Sequence, residues 1–583
     1  MPTASLSNRL IPYLARYRRG LIGGVLAVVV TNLIALAQPQ VLRIAVDDLY
    51  GGVTAAKLGR YALVLLGIAL GAGAFRYAMR MAIIGISRRI EFDLRNDLFA
   101  HLQKLPPSYY QHTRTGEILS RAINDLSAVR MLVGPGIMYL VNTVTVAIVS
   151  IGFMLAISPR LTMLSIIPLS LVSVTVWVFG SRIHSRFEKI QEQFGQISSR
   201  VQENLAGLRV VRAFTREDEE IRSFHELNRE YAAKNSELIR ISGLFHPMLA
   251  ALSGVAALTV LYFGGREVME GRITIGMFVA FTVYLGMLNW PVTALGWVAN
   301  LFQRGMASFG RIVEVLDTPP AIASPREPQV PAACRGAIEF RDLSFTHPGR
   351  ENPTLHAVSF SVRPGETVAL VGPTGSGKST ILALIPRMFD PPPGTLFLDG
   401  QDVRSLDLHW LRRQLACVSQ DPFLFSTTVA ENIAAGVDSA EREAIIEVAR
   451  VARLEDEVRS FPSGFDTLVG ERGITLSGGQ KQRVTIARAL LRTSPVLLLD
   501  DCLSNVDTQT EEAILSRLRG EMKRRTTILA SHRVSAVREA DRILVFDEGR
   551  IVEQGTHGQL MTLDGRYARL CRDQQLEEEL EAS

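Results

Sequence analysis

Gly372-Pro373-Thr374-Gly375-Ser376-Gly377-Lys378-Ser379-Thr380 follows the apolar run Val368 to Leu370, and together they decide how the C-terminal half of this 583-residue chain folds. The spacing G-x-x-x-x-G-K-S/T, set between a short buried strand and a new helix, predicts a loop whose backbone N–H groups curl around phosphate oxygens. Glycines let the backbone approach that closely, and the N-terminus of the following helix adds partial positive charge. Lys378 is then placed to reach terminal phosphates, and Ser379 to ligate Mg²⁺. All nine residues, Gly372 to Thr380, are candidate nucleotide ligands.

Working outward, Val496-Leu497-Leu498-Leu499-Asp500 reads as a buried strand ending in a carboxylate. On its own it is a core strand with a solvated end; beside a phosphate loop, Asp500 becomes the candidate Mg²⁺-orienting residue. Between the two lies Leu476-Ser477-Gly478-Gly479-Gln480-Lys481-Gln482-Arg483. Ser477 as N-cap and Gln480 three residues on form a capping box for the helix behind them. Capping does not explain Gly478-Gly479, which opens the backbone at a helix N-terminus and offers a second phosphate-binding end. Two cradles in one domain imply two domains sharing nucleotide. From Ile338 onward, β-branched runs alternate with helical ones, the pattern of an α/β domain.

The front half is different. Hydrophobic residues make up 47% of the whole chain and charged residues 21%, but residues 1–300 hold 30 Lys/Arg against 19 Asp/Glu, while the remainder holds 33 against 39. A net charge of +5 is thus +11 in front and −6 behind. This excludes a disordered chain, a collagen-like chain and a uniformly soluble enzyme. Crossing ~30 Å of hydrocarbon takes ~20 apolar residues per helix, and six stretches qualify, at about 21–42, 61–86, 136–157, 161–183, 244–269 and 274–302. Arg76 and Arg80 interrupt the second; one turn apart, they are expected to snorkel or pair, with a wet cavity as the alternative. Arg9, Arg16, Arg18 and Arg19 precede the first span and Arg88, Arg89, Arg95 and Lys104 follow the second, which places these flanks and both termini in the cytoplasm. Ala35-Leu36-Ala37 resembles a signal-peptide cleavage site, but the apolar run is long, and cleavage would leave an odd number of spans. The cytoplasmic segments 87–134 and 184–243 are helical in pattern. In the second, Phe187, Ile190, Phe194, Ile197, Val201, Leu205 and Leu208 form an apolar stripe expected to pack inside the bundle. Four cysteines, Cys334, Cys417, Cys502 and Cys571, show no metal-ligand spacing and read as idle thiols in a reducing compartment.

With these motifs in one order, the chain resembles a half-size exporter of the ATP-binding cassette (ABC) superfamily over nearly its whole length. Gln420 in Val418-Ser419-Gln420-Asp421 resembles the Q-loop, Thr467 to Gly473 the exporter X-loop, Ser504-Asn505-Val506-Asp507 the D-loop, and His532 the switch histidine. The resemblance implies an all-α six-helix transmembrane domain with long cytoplasmic extensions (1–318), a Pro-rich linker (319–336), and an α/β P-loop ATPase domain with an α-helical subdomain (337–583). It implies ATP and Mg²⁺ as cofactors, with Ser379, Gln420 and Asp500 at the metal. Asp501, His532 and Gln420 would be catalytic. His347, the loop Gly372 to Thr380, Gln420, Ser477, Gly478, Gly479, Gln480 and Asp507 would contact nucleotide. It further implies two chains meeting head to tail, each ATP held between one chain's Walker motifs and the other's signature. Coupling helices would lie near 115–121 and 203–215.

Two positions depart from the family pattern. Where its hydrolytic Glu follows the Walker B Asp, this chain has Asp501, one methylene shorter, or about 1.5 Å less reach. A misplacement of ~1 Å can cost ~100-fold in rate, so this site is expected to bind ATP and hydrolyse it poorly. The intact signature would complete the opposite site, which suits a heterodimer whose other half-transporter carries the Glu. His347 stands where exporters carry a Tyr that stacks on adenine, with less π surface. The expected activity is ATP-driven export of hydrophobic or amphipathic molecules (drugs, lipids or peptides) across an inner or plasma membrane. The alternatives are a homodimeric exporter or lipid flippase, and an ATP-gated regulator or channel. Six spans exclude a DNA-organising ATPase and a nucleic-acid partner.

Overall fold

The computed structural model describes residues 3–503 and 508–582. The expected D-loop, and with it the candidate ligand Asp507, lies outside the described residues. By internal contact the chain divides into one unit of residues 1–103 and 115–318 and a second of residues 104–114 and 319–583.

In the first unit, a short amphipathic helix α1 (Thr3–Arg16) leads into α2 (Arg18–Tyr50) and α3 (Ala55–Leu102). In the second unit, α4 (Pro107–His112) follows. The first unit resumes with α5 (Thr115–Ile157), α6 (Pro159–Ala206), α7 (Leu208–Ala213), α8 (Glu217–Met269) and α9 (Ile275–Leu316). Six of these are long and apolar enough to cross a membrane, and each contains one expected span. At 1.5 Å per residue, the 48 residues of α3 reach about 72 Å, more than twice the hydrocarbon thickness, so these helices must continue well beyond it.

Local chemistry sets the turns. Ser158 accepts the Leu161 N–H at 3.2 Å and Pro159 opens α6, which reverses the chain in one residue. Asp47 accepts the Gly276 N–H at 2.7 Å and the Thr274 hydroxyl at 2.8 Å, tying α2 to the start of α9. The fully buried Tyr284 donates its hydroxyl to the Leu36 carbonyl at 2.9 Å. Residues Leu132–Gly136 of α5 form a π turn around Pro135, which cannot donate to the helical ladder. Leu26, Leu70, Ile148, Ile167, Leu171 and Trp177 stay exposed, as side chains solvated by lipid do. Arg76 and Arg80 are also exposed.

The stripe on α6 departs from expectation. Only Ile190 is buried, while Phe187, Phe194, Val201, Leu205 and Leu208 are exposed. The contact of α6 with α8 beyond Ile190 is largely polar: Gln193, 1% exposed, donates to the Leu227 carbonyl at 3.1 Å and accepts from Lys234 at 2.8 Å. Arg186–Glu237 and Arg200–Glu220 flank it. Those pairs turn the polar face of α6 inward and leave Phe187 and Phe194 about half-exposed, the Phe194 ring tilted against Tyr231 at 6.2 Å.

The second unit holds two sheets. One has the order β2-β1-β4-β5, with β1 Ile338–Phe345, β2 Leu355–Val362, β4 Leu396–Leu398 and β5 Gln401–Asp402. The other has the order β10-β9-β3-β8-β7-β6: β3 Thr367–Val371, β6 Leu415–Val418, β7 Val496–Asp500, β8 Thr526–Ala530, β9 Arg542–Asp547 and β10 Arg550–Gly555. Its strands from β9 to β6 are parallel, and β3 and β8 are buried at every residue, as a sheet covered on both faces requires. Helices between Val429 and Leu491 supply the α-helical subdomain. The Pro-rich stretch expected as a linker is pinned to this unit. Gln329 N–H donates to the Ser405 carbonyl at 2.9 Å, Asp407 N–H to the Gln329 carbonyl at 3.0 Å, and the Ser324 hydroxyl to Asp407 at 2.9 Å.

Candidate functional site

Parallel pairing brings the C-terminal ends of β3, β8, β7 and β6 side by side, with Leu370 opposite Ala530 and Ala530 opposite Asp500. Ligand sites in open α/β sheets lie outside these ends. Here β3 delivers the phosphate loop, β8 delivers His532, β7 delivers Asp500 and Asp501, and β6 delivers Gln420. A cleft of about 560 Å³ is lined by Thr374, Gly375, Gly377, Lys378, Ser379 and Thr380 with Gln420, Asp500, Asp501 and His532. His347, on the loop after β1, forms a further wall.

The loop is a cradle that side chains would destroy. Gly372 has φ +152°, and a Cβ there would stand 2.1 Å from the Phe546 carbonyl oxygen; Gly377 has φ +102°, and its Cβ would meet Leu355 at 2.6 Å. Lys378 arches over the loop and donates to the carbonyls of Gly372 (2.7 Å) and Pro373 (2.9 Å). Burial pushes its ammonium below the ordinary lysine range, against the pull of Asp501 and Asp500. The Ser379 hydroxyl donates to Asp500 at 2.9 Å. Burial raises the Asp500 carboxyl above its usual range, with the Ser379 bond opposing and the Asp501 charge reinforcing. Among the described residues no cluster of His, Cys, Asp or Glu could cage a metal by itself. One hydroxyl and one carboxylate, open to phosphate and water, fit Mg²⁺, which keeps several non-protein ligands.

Asp501 takes a left-handed backbone (φ +45°), and its N–H donates to the Ala530 carbonyl at 2.9 Å. Its carboxylate lies 2.9 Å from His532 Nδ1. His347 Nε2 is 3.2 Å from the Thr380 hydroxyl, and the ring stands edge-on to Phe345 and Phe389. Burial, then the Arg350 charge, holds this imidazole below its usual pKa.

Ser477, Gly478, Gly479 and Gln480 do not line the cleft. Ser477 caps the helix Gly478–Leu491 in the expected capping box, and Gln480 and Arg483 both bind Glu457. Ser477 and Gly478 are exposed, so this helix end faces outward.

Several residues carried no local signal. Gln111 and His112 at the end of α4, with Arg350 and Thr354, line the cleft. Gln574, on the C-terminal helix Arg566–Ala582, accepts the Val534 N–H at 2.8 Å and donates to the His532 carbonyl. The nearly buried Glu511 binds Arg533 and accepts the Ser535 hydroxyl at 3.0 Å.

Comparison with known proteins agrees with this geometry. Residues 21–292 match the ABC transporter transmembrane region and residues 355–504 the ABC transporter family. The chain is 38% identical over 549 residues to the probable multidrug resistance ABC transporter ATP-binding/permease protein YheI of Bacillus subtilis, covering 94% of this chain and 93% of that one. It is 37% identical over 571 residues to the multidrug resistance-like ATP-binding protein MdlA of Escherichia coli (98% and 96% covered). It is 33% identical over 577 residues to the ATP-dependent lipid A-core flippase of Photobacterium profundum (98% of each). Among solved structures, a bacterial Atm1-family ABC exporter with ATP bound superposes with a TM-score of 0.79 at 31% identity, covering 96% of this chain and 99% of that one. Six membrane helices fused to a phosphate-loop ATPase, matched end to end by such relatives, make this chain a multi-pass half-transporter of the ABC exporter family, whose C-terminal domain binds ATP with Mg²⁺ and couples its hydrolysis to transport.

Proposed function

We propose that the chain is one half of a two-chain exporter of hydrophobic or amphipathic molecules, whose own Walker site binds ATP and turns it over slowly while its signature helix completes the partner's site. The observation that carries this reading is Asp501: a carboxylate one methylene shorter than Glu, directed onto His532 Nδ1 at 2.9 Å. Lys378 and the loop backbone hold the phosphates, and Ser379, Asp500 and Gln420 face the metal position. Held there by Ser379 and Asp500, Mg²⁺ would supply charge neutralisation to the phosphoryl group being transferred. Asp501 orients the attacking water through a shortened reach, His532 steadies that carboxylate, and His347 packs against the base. Two cytoplasmic termini and coupling helices near Thr115 to Arg121 and Glu203 to Thr215 complete the reading.

A second chain is supported by two exposed surfaces: the signature end Ser477–Gly478, and the apolar residues Phe187, Phe194 and Leu205 along α6. Exposed apolar patches of this kind mark interaction sites. The cargo class follows from the apolar spans and from relatives named for multidrug resistance and for lipid A-core flipping.

Co-purification from the native membrane is expected to bring a non-identical chain with Glu after its Walker B Asp. Asp501→Glu is expected to raise ATP turnover by up to ~100-fold, measured on the pair with the partner's Glu replaced by Gln. Recovery of this chain alone as a fully active pair would establish the homodimer instead. Downhill solute flow persisting without hydrolysis would establish a gated pore.

A further inference from the structure

The junction of α1 with α2 forms, against α3, a groove of about 590 Å³ with walls of opposite character. One wall is basic: Arg16, Arg18, Arg19 and Arg89. The other is apolar, with Met81 (61% exposed), Ala82 and Ile86. Arg16 is paired with Asp93 at 2.7 Å, and nearby Arg88 with Glu91. Arg18, Arg19 and Arg89, by contrast, have no acidic partner among the described residues.

The position of the groove is as specific as its lining. The apolar run of α2 begins at Leu21 and that of α3 ends at Ile86, so the groove opens where both helices leave the hydrocarbon on the same side. Gly20 brings α2 against Ile86, since a Cβ there would stand 2.6 Å from Ile86 Cδ1, and this closes the floor. A Cβ on Gly85 would meet nothing within 4 Å, so that edge is open.

From this juxtaposition we infer that the groove binds a phosphate-bearing anionic lipid, its headgroup on Arg18, Arg19 and Arg89 and its proximal acyl chain along Met81 and Ile86. Guanidinium forks match phosphate oxygens bidentately. An apolar wall beside them selects an amphiphile over a free anion, because a soluble phosphate gains nothing from Met81 or Ile86. Basic pockets between membrane helices are known settings for anionic headgroups. The inference rests on the membrane reading of α2 and α3 and not on the slow-site or two-chain reading, so failure of either of those leaves the lipid result unchanged.

The full-length protein, with any chain that co-purifies, is assayed by native mass spectrometry against phosphatidylglycerol and phosphatidylcholine. Phosphatidylglycerol is expected to bind in preference, and R18Q/R19Q/R89Q to weaken it about tenfold. Gly85→Leu, which fills the groove without touching its charge, is expected to weaken it severalfold, whereas R18K/R19K/R89K retains most binding. Arg60→Gln, at the opposite end of the same spans, is expected to leave it unchanged. Equal binding of the two lipids, wild-type binding by both groove-directed variants, or equal loss in Arg60→Gln would overturn the inference. Displacement of the lipid by glycerol 3-phosphate at equal concentration would also overturn it, assigning the groove to a soluble anion.

Discussion

At the residue scale, the nucleotide cleft trades stability for chemistry. Burial raises the pKa of Asp500, so its charged form is disfavoured in the fold. That cost is fully present at neutral pH and disappears as pH falls through the raised value toward the unfolded one. Asp500→Asn is therefore expected to melt a few degrees higher than wild type without nucleotide at pH 7, with the difference closing toward pH 4, while losing Mg²⁺-dependent ATP retention. Melting curves across pH, with and without Mg-ATP, check both parts. Asp501 is a separate case. Its left-handed backbone is tolerated better by Asp than by longer side chains, so the residue after Asp500 suits its backbone as well as its reach. His347 lacks the π surface of Tyr, and His347→Tyr is expected to tighten ATP by several-fold, the worth of an added stacking contact, as read by equilibrium titration.

At the element scale, the C-terminal helix Arg566–Ala582 is tied to the loop that carries His532. Its first turn is held by Glu553, which accepts the Tyr567 N–H at 3.1 Å, and Tyr567 and Cys571 are buried in the core. Gln574, two turns on, grips the loop after β8 through the His532 carbonyl and the Val534 N–H. Gln574→Ala is expected to lower ATP turnover about tenfold with KM unchanged, measured with Asp501→Glu in place so that this site dominates. In a His532→Ala background the same substitution should cost nothing further, because it acts through that histidine. A loss that persists there would make the helix a general support only.

At the scale of the molecule, the polar C-terminal half of α6 meets α8 through Gln193, Arg200 and the Phe194–Tyr231 ring pair, and leaves Phe187, Phe194 and Leu205 about half-exposed or more. Phe194→Glu is expected to leave the chain folded and membrane-inserted while reducing recovery of a partner chain in pull-down. The connection between α6 and α8 through α7 carries Val210 and Phe214, both exposed.

The sequence by itself determined the two kinds of domain, the six spans, the phosphate loop and the capped signature helix, because each rests on local spacing: runs of apolar residues, glycines at fixed offsets, a Ser three residues ahead of a Gln. Only tertiary structure decided that Lys378, Gln420, Asp500 and His532 share one cleft, since parallel pairing of β3, β8, β7 and β6 aligns strand ends that lie far apart along the chain. It also decided which face of α6 turns inward, that the Pro-rich stretch is pinned to the strands and loops around Ser405, and that Gln574 reaches the histidine loop. Those outcomes depend on where long-range hydrogen bonds and ion pairs find partners, and periodicity carries no record of the partner.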